Sequence, residues 1–197
     1  MNKQEVIFAT GNQHKLAEVA SILAQDWMQI ISLKDLDFQA DIDETGSTLE
    51  ENALIKARHI AKLYPGRPVF SEDTGLEVMA LGGAPGVHTA RYAGPDRDPQ
   101  ANMEKLKSEL RGLDRTARFR TVIAWISGKE ERLFEGYVNG AIAEQQRGEG
   151  GFGYDAIFVP FGNSKTFGEL PANYKNGISH RFRALMRMKK FLESQVT

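Results

Sequence analysis

The chain has 197 residues, 41% of them hydrophobic, with 25 Lys and Arg against 26 Asp and Glu for a formal net charge of -1. That length buries an ample core, while the even charge provides no broad positive surface for a nucleic-acid backbone. The absence of cysteine excludes disulfides, thiolate nucleophiles and cysteine metal sites. No run approaches the ~20 apolar residues of a membrane-spanning helix and no N-terminal stretch has signal-peptide order. A cytoplasmic protein with no nucleic-acid and no membrane partner is therefore expected.

In chain order, Val6-Ile-Phe-Ala9 is the short apolar run of a central strand, and Leu16, Val19, Ala20 and Leu23 recur at helical spacing. Thr10, Gly11 and Asn12 lie between them. A strand emptying into a helix through a small polar loop offers backbone N–H groups and the positive end of a helix dipole to an anion. Lys15 adds a full charge one turn on. The plainer reading is that Asn12 caps the helix and Lys15 is solvated, and the spacing matches neither familiar glycine-rich phosphate fingerprint.

Residues 28–33 predict a second strand, and residues 35–45 an acidic surface loop carrying Asp35, Asp37, Asp41, Asp43 and Glu44. Thr48-Leu-Glu-Glu51 has the form of a capping box, in which Glu51 returns a bond to the Thr48 backbone. The helix that follows buries Ala53, Leu54, Ala57, Ile60 and Ala61 and stops at Tyr64-Pro-Gly66. Val69-Phe70 then resumes strand character and leads into Ser71-Glu-Asp-Thr-Gly75. Two adjacent carboxylates at the end of a strand are costly to hold together unless a cation lies between them. Metal binding and a solvent-exposed turn both remain open there.

Leu81-Gly-Gly-Ala-Pro-Gly86 is a rigid loop, and Arg91 beyond it reads as a surface ion pair. Asp98-Pro99 opens a third helix with Met103, Leu106 and Leu110 inside. Residues 117–126 and 133–142 have strand character and pair most simply as an antiparallel hairpin, so the sheet is mixed. Next comes the glycine-rich Arg147-Gly-Glu-Gly-Gly-Phe-Gly-Tyr-Asp155. Its glycines allow close approach to a ligand, Phe152 and Tyr154 supply flat faces for a base, and Asp155 can accept hydrogen bonds from base N–H edges. A structural hairpin turn with core aromatics is the alternative. The last helix is capped by Ser179 and buries Phe182, Leu185, Met186, Met188 and Leu192, yet His180, Arg181 and Arg183 crowd its first turn and Lys175 lies just upstream. Cations are misplaced at a helix N-terminus, so Lys175, His180 and Arg181 read as a clamp for an anion, a polyphosphate or nucleotide. His14, His59 and His88 are scattered, which gives no histidine metal site or Ser-His-Asp triad.

Taken together, Ala9-Thr-Gly-Asn12 with Lys15, Glu44-Thr-Gly46 with Glu51-Asn-Ala53, Ser71-Glu-Asp-Thr-Gly-Leu76, Leu81-Gly-Gly-Ala-Pro-Gly86, Gly150-Gly-Phe-Gly-Tyr-Asp155 and Ile178-Ser-His-Arg181 resemble the Ham1/RdgB family of inosine triphosphate pyrophosphatase-like enzymes. The resemblance runs from the first strand to the final helix. It implies one domain over residues 1–197 with an α/β fold, an elongated mixed β-sheet flanked by helices, and two lobes around a central nucleotide-binding cleft. It also implies a homodimer and a Mg²⁺-dependent hydrolysis of non-standard purine nucleoside triphosphates (ITP, dITP, XTP) to the monophosphate and pyrophosphate.

By the matching motifs, Thr10, Gly11, Asn12, Gln13, His14 and Lys15 bind phosphates, Asp73 binds metal and acts as general base, and Glu44 is the second metal-side acid, with Asp43 a less secure neighbour. Thr74, Phe152, Gly153, Tyr154, Asp155, Lys175, His180 and Arg181 complete the nucleotide site. Glu72-Asp73-Thr74 stands where many relatives have Asp-Asp-Ser, and Ala156 where they have Pro. The alternatives are a Maf-like nucleotide pyrophosphatase, a non-hydrolysing nucleotide-binding module and, against the net charge, a binder of structured RNA.

Overall fold

A computed structural model of the chain describes residues 4–23, 28–38 and 40–195. Its strands are β1 (Gln4–Phe8), β2 (Met28–Ser32), β3 (Val69–Val78), β4 (Pro85–Gly86), β5 (Thr116–Ser127), β6 (Glu130–Ile142) and β7 (Phe158–Pro160). Its helices are α1 (Gln13–Ile22), α2 (Leu49–Leu63), α3 (Pro99–Glu109), α4 (Ala172–Ile178) and α5 (His180–Gln195). The strands form one mixed sheet in the order β2-β1-β3-β5-β6-β7, with β4 paired to β3. β1 runs parallel to β2 and to β3, whereas β4 and β7 are antiparallel to their neighbours. Only Gly128 and Lys129 separate β5 from β6, with Gly128 at φ 59. So short a link joins only antiparallel strands, so the expected hairpin and the mixed α/β class are both found.

The chain packs as two compact units. The first holds the chain up to Asp73, Thr121–Gly136 and the residues from Arg181 onward. On one face of its sheet Val6, Phe8 and Phe70 pack with Val19 and Leu23 of the α1 region and with Ala184, Leu185, Met188 and Leu192 of α5. On the other face Ile7, Ala9, Val69 and Leu33 pack with Ile60 of α2. Successive strand residues point to opposite faces, so this alternation fixes the direction of every β3 side chain that follows. The second unit, Thr74–Arg120 and Tyr137–His180, is built around Leu76, Val78, Met103, Leu106, Leu110, Phe119, Phe158 and Phe167.

Several local expectations change. β3 does not end in a turn at its acidic residues; Glu72 and Asp73 are buried within a ten-residue strand. Lys175 lies inside α4, a short helix that the sequence hides because Asn173, Asn176 and Gly177 are poor helix formers. Asp35 is not merely solvated, since its carboxylate accepts from the Ser32 N–H at 2.8 Å and hydroxyl at 2.7 Å. Within the acidic stretch, Gln39 lies outside the described residues, as do both ends of the expected 1–197 domain.

The capping box is closed differently as well. Thr48 accepts from the Glu51 N–H at 3.1 Å, but Glu51 accepts from the Ser47 N–H at 2.6 Å and hydroxyl at 2.8 Å, one residue upstream of the expected partner. These Ser47 bonds hold the Glu51 carboxyl below its usual range. A depressed carboxylate adds stability above its unfolded value, and that stability is lost as pH falls through the folded value. Glu51→Gln should therefore lower the melting temperature slightly at neutral pH, with the difference closing as pH falls through the folded value of Glu51; thermal melts of both proteins from neutral into acid pH check this.

Candidate active site

The first unit carries the phosphate-type loop and the acids. Thr10 is half-buried and Gly11, Asn12, Gln13 and His14 are exposed between β1 and the body of α1. Thr10 Oγ1 accepts from the Asn12 N–H at 3.2 Å, and Asn12 Oδ1 accepts from the Lys15 N–H at 3.1 Å. Asn12 is thus the N-cap, as the plainer reading held, and the helix start still faces solvent with its dipole intact. The Lys15 side chain is only 16% exposed and its ammonium lies 3.3 Å from Glu72 Oε1. Burial lowers the Lys15 pKa, and the Glu72 charge opposes that shift.

Glu72 and Asp73 do not share a cation in the way two carboxylates on one turn would. As neighbours in a strand they point to opposite faces, and each has its own positive partner. Glu72 faces α1 and α5, where Arg181 Nε donates to it at 2.8 Å and Nη2 at 2.7 Å, and Arg181 Nη1 pairs with Glu18. Arg181 is 1% exposed and Glu72 2%. Burial disfavours the guanidinium charge, but Glu72 and Glu18 outweigh it and raise the Arg181 pKa. The cation that looked misplaced at the start of α5 is therefore matched by carboxylates of the protein itself.

Asp73 faces α2. Its Oδ2 accepts from Asn52 Nδ2 at 3.1 Å, and its Oδ1 lies 3.6 Å from the Lys56 ammonium, which also reaches Glu44 Oε1 at 2.5 Å. Burial raises the Asp73 pKa; Lys56 and Lys15 pull it back and Glu44 adds to the rise. Asp43 is exposed, whereas Glu44 is half-buried and turned to this cluster. Among the described residues no group of three or more His, Asp or Glu forms a ready metal cage. Two carboxylates that already hold a cation between them nevertheless suit Mg²⁺, which takes one or two carboxylates and completes its shell with water and substrate phosphate. The residues present fit that ion.

Asn52, Lys56 and Glu18 escaped the reading of the sequence. Lys56 left a signal there, a lysine set within the apolar face Ala53, Ala57 and Ile60 of α2. Asn52 lies four residues before it, one turn away on the same side of the helix.

The second unit carries the glycine-rich segment. Asp155 and Lys175 are each 3% exposed and pair at 2.6 Å, and Asp155 Oδ2 also accepts from the Phe152 N–H at 2.8 Å. The Lys175 ammonium lies 5.2 Å from the centre of the half-buried Phe152 ring. Tyr154 is a core residue whose hydroxyl donates to the Thr89 carbonyl at 3.0 Å, so of the two expected flat faces only Phe152 is accessible. His180 stacks on Phe119 at 4.7 Å. Gly153 and Thr74 are half-buried. A Cβ on Gly151, at φ +74, would stand 2.1 Å from Asp155 Oδ2, and one on Gly148 2.2 Å from the Gly168 backbone. The close approach these two glycines permit is to the chain's own backbone and carboxylate.

The model of the Ham1 family matches residues 6–191. A curated protein of Bacillus subtilis named dITP/XTP pyrophosphatase is 47% identical over 195 residues, spanning 97% of this chain and 98% of that one. One of the same name from Porphyromonas gingivalis is 47% identical over 191 residues, spanning 96% and 97%. Among solved structures, the Staphylococcus aureus Ham1 protein superposes with a TM-score of 0.87 at 40% identity, covering 97% of this chain and 99% of that one. A HAM1 protein from Coxiella burnetii gives 0.87 at 38% identity, covering 96% and 98%.

Proposed function

This chain belongs to the Ham1 family, and from that premise we propose that it is a Mg²⁺-dependent pyrophosphohydrolase that cleaves dITP, XTP and ITP to the nucleoside monophosphate and pyrophosphate. The observation that carries the reading is the buried Asp73, paired with Glu44 around one cation and neighboured by the Lys15 ammonium. Mg²⁺, when bound by Asp73 and Glu44, supplies charge neutralisation at the triphosphate oxygens. Lys15 and the N–H groups at the start of α1 hold phosphate oxygens. Lys56 supplies a second positive charge beside the acids. Asp73, its pKa raised by burial, orients an attacking water and accepts its proton. The water oxygen bonds to phosphorus as a bridging P–O bond breaks and pyrophosphate leaves.

For the base, Phe152 offers a stacking face worth on the order of 1–3 kcal/mol. Lys175, held by Asp155 over one face of that ring, donates to a keto oxygen at position six. An adenine amino group at the same place would leave a buried donor unmatched, at a cost of about 1–3 kcal/mol. His180 packs on Phe119. Arg181 acts through Glu72, and Thr74 and Gly153 contact the nucleotide. The substrates are free nucleotides cleared from the pool, and the chain acts as a cytoplasmic homodimer, for which sedimentation should give twice the 22.0 kDa of one chain.

Incubation with Mg²⁺ and ITP, dITP, XTP, GTP, ATP, UTP or CTP separately should release pyrophosphate, with kcat/KM for the first three about 10- to 100-fold above ATP. Chelation of the metal should stop turnover. Release of orthophosphate would sink the reaction type, preference for standard nucleotides the specificity, and full activity in chelator the metal.

A further inference from the structure

Asn52 is completely buried at the start of α2, and both ends of its amide are committed. Nδ2 donates to Asp73 Oδ2 at 3.1 Å, while Oδ1 accepts from the Gly46 N–H at 2.8 Å. Gly46 lies two residues beyond Glu44, on the loop that carries it. A Cβ at Gly46 would stand 2.7 Å from Asn52 Oδ1 and 2.6 Å from Glu51 Cβ, so the loop is seated directly against the amide. The helix is itself fixed to β3 next to this point, where the Ser71 hydroxyl donates to the Ala53 carbonyl at 2.5 Å. With Oδ2 of Asp73 held by Asn52, the other oxygen faces Lys56, which is also the partner of Glu44.

We propose that Asn52 is a positioning residue for the metal pair: its rigid amide ties the Glu44 loop to the Asp73 carboxylate, so that one oxygen of each acid faces the same cation. A planar amide suits this task because donor and acceptor sit at fixed separation in one group. Groups of this kind, one step behind the ligands, typically change metal affinity or activity by about 10- to 100-fold when removed. The proposal rests on the Mg²⁺ reading of Asp73 and Glu44.

The test uses the full chain with Mn²⁺ alone as probe, titrated by calorimetry or paramagnetic resonance, alongside the Mg²⁺ dependence of ITP hydrolysis. Asn52→Ala should weaken Mn²⁺ binding about tenfold or more and raise the Mg²⁺ concentration for half-maximal turnover to match. KM for ITP at saturating Mg²⁺ should stay within about threefold, a split that a general loss of structure would not produce. Asn52→Leu keeps the volume and adds no charge but loses both the donor to Asp73 and the acceptor for Gly46; it serves if the cavity keeps the alanine variant from folding, and should lower kcat about tenfold with KM similarly preserved. A folded variant whose Mn²⁺ affinity, Mg²⁺ requirement and kcat all stay within about twofold of wild type overturns the brace. A wild-type chain that binds no Mn²⁺ and turns over in chelator overturns the metal reading and the brace together, and does so before any variant is made.

Discussion

Asp73→Asn should reduce pyrophosphate release by roughly 10³-fold or more while nucleotide affinity changes only a few-fold, because the variant lacks both the metal-side charge and the proton acceptor proposed for Asp73. The fold should survive. An asparagine oxygen can still accept from Asn52 Nδ2, and Lys56 keeps Glu44 as partner. Removing a buried carboxylate charge also relieves the desolvation that raises its pKa. Steady-state kinetics with ITP, nucleotide binding by calorimetry and a melting curve check the three parts. Near-normal turnover in a folded Asp73→Asn protein would remove Asp73 from the chemistry.

Arg181→Met should cost about 3–5 kcal/mol of stability, since it leaves Glu72 and Glu18 charged, desolvated and stripped of their shared partner. For a chain of this size that is a melting temperature lower by roughly 10 °C. Arg181→Lys should fall between the two, as an ammonium keeps the charge but not the fork that meets both Glu72 oxygens. Adding Glu72→Leu to Arg181→Met should recover part of the loss, because it removes one of the two carboxylates left without Arg181, although the Lys15 ammonium then loses its Glu72 partner. Denaturant unfolding of the single and double variants measures this. A single variant as stable as wild type would show that the buried network contributes nothing.

Much of the scaffold was legible because local rules and packing agree. The apolar run at Val6 to Ala9, the caps at Asn12, Thr48 and Asp98, and the hairpin turn at Gly128 all appear where their residue types require them. Most acids and cations of the site were also legible as types, Lys56 and Glu18 excepted. What they face was not. The sequence places Glu72 beside Asp73 and suggests one shared ion, yet period-two alternation in an unbroken strand sends them to opposite faces, one to Arg181 and Lys15, the other to Asn52, Lys56 and Glu44. The cations at α5 and α4 implied an external anion, because a helix rule sees only its own helix; their carboxylates come from positions 109 and 20 residues away.

The amino-acid sequence by itself determined most of the elements, the mixed α/β class, the family resemblance and most of the inventory of chemistry, since each depends on neighbours a few residues apart or on motif order along the chain. Tertiary structure alone decided the pairing of charges. Asn52 is 21 residues from Asp73 and Lys56 is 12 from Glu44, and no local propensity encodes which partner a buried charge will meet. That choice follows from which side of β3 each side chain leaves and which helix covers that side, and it turns the loop at Thr10 to Lys15 from a capped helix start into one part of a charged site built on β3.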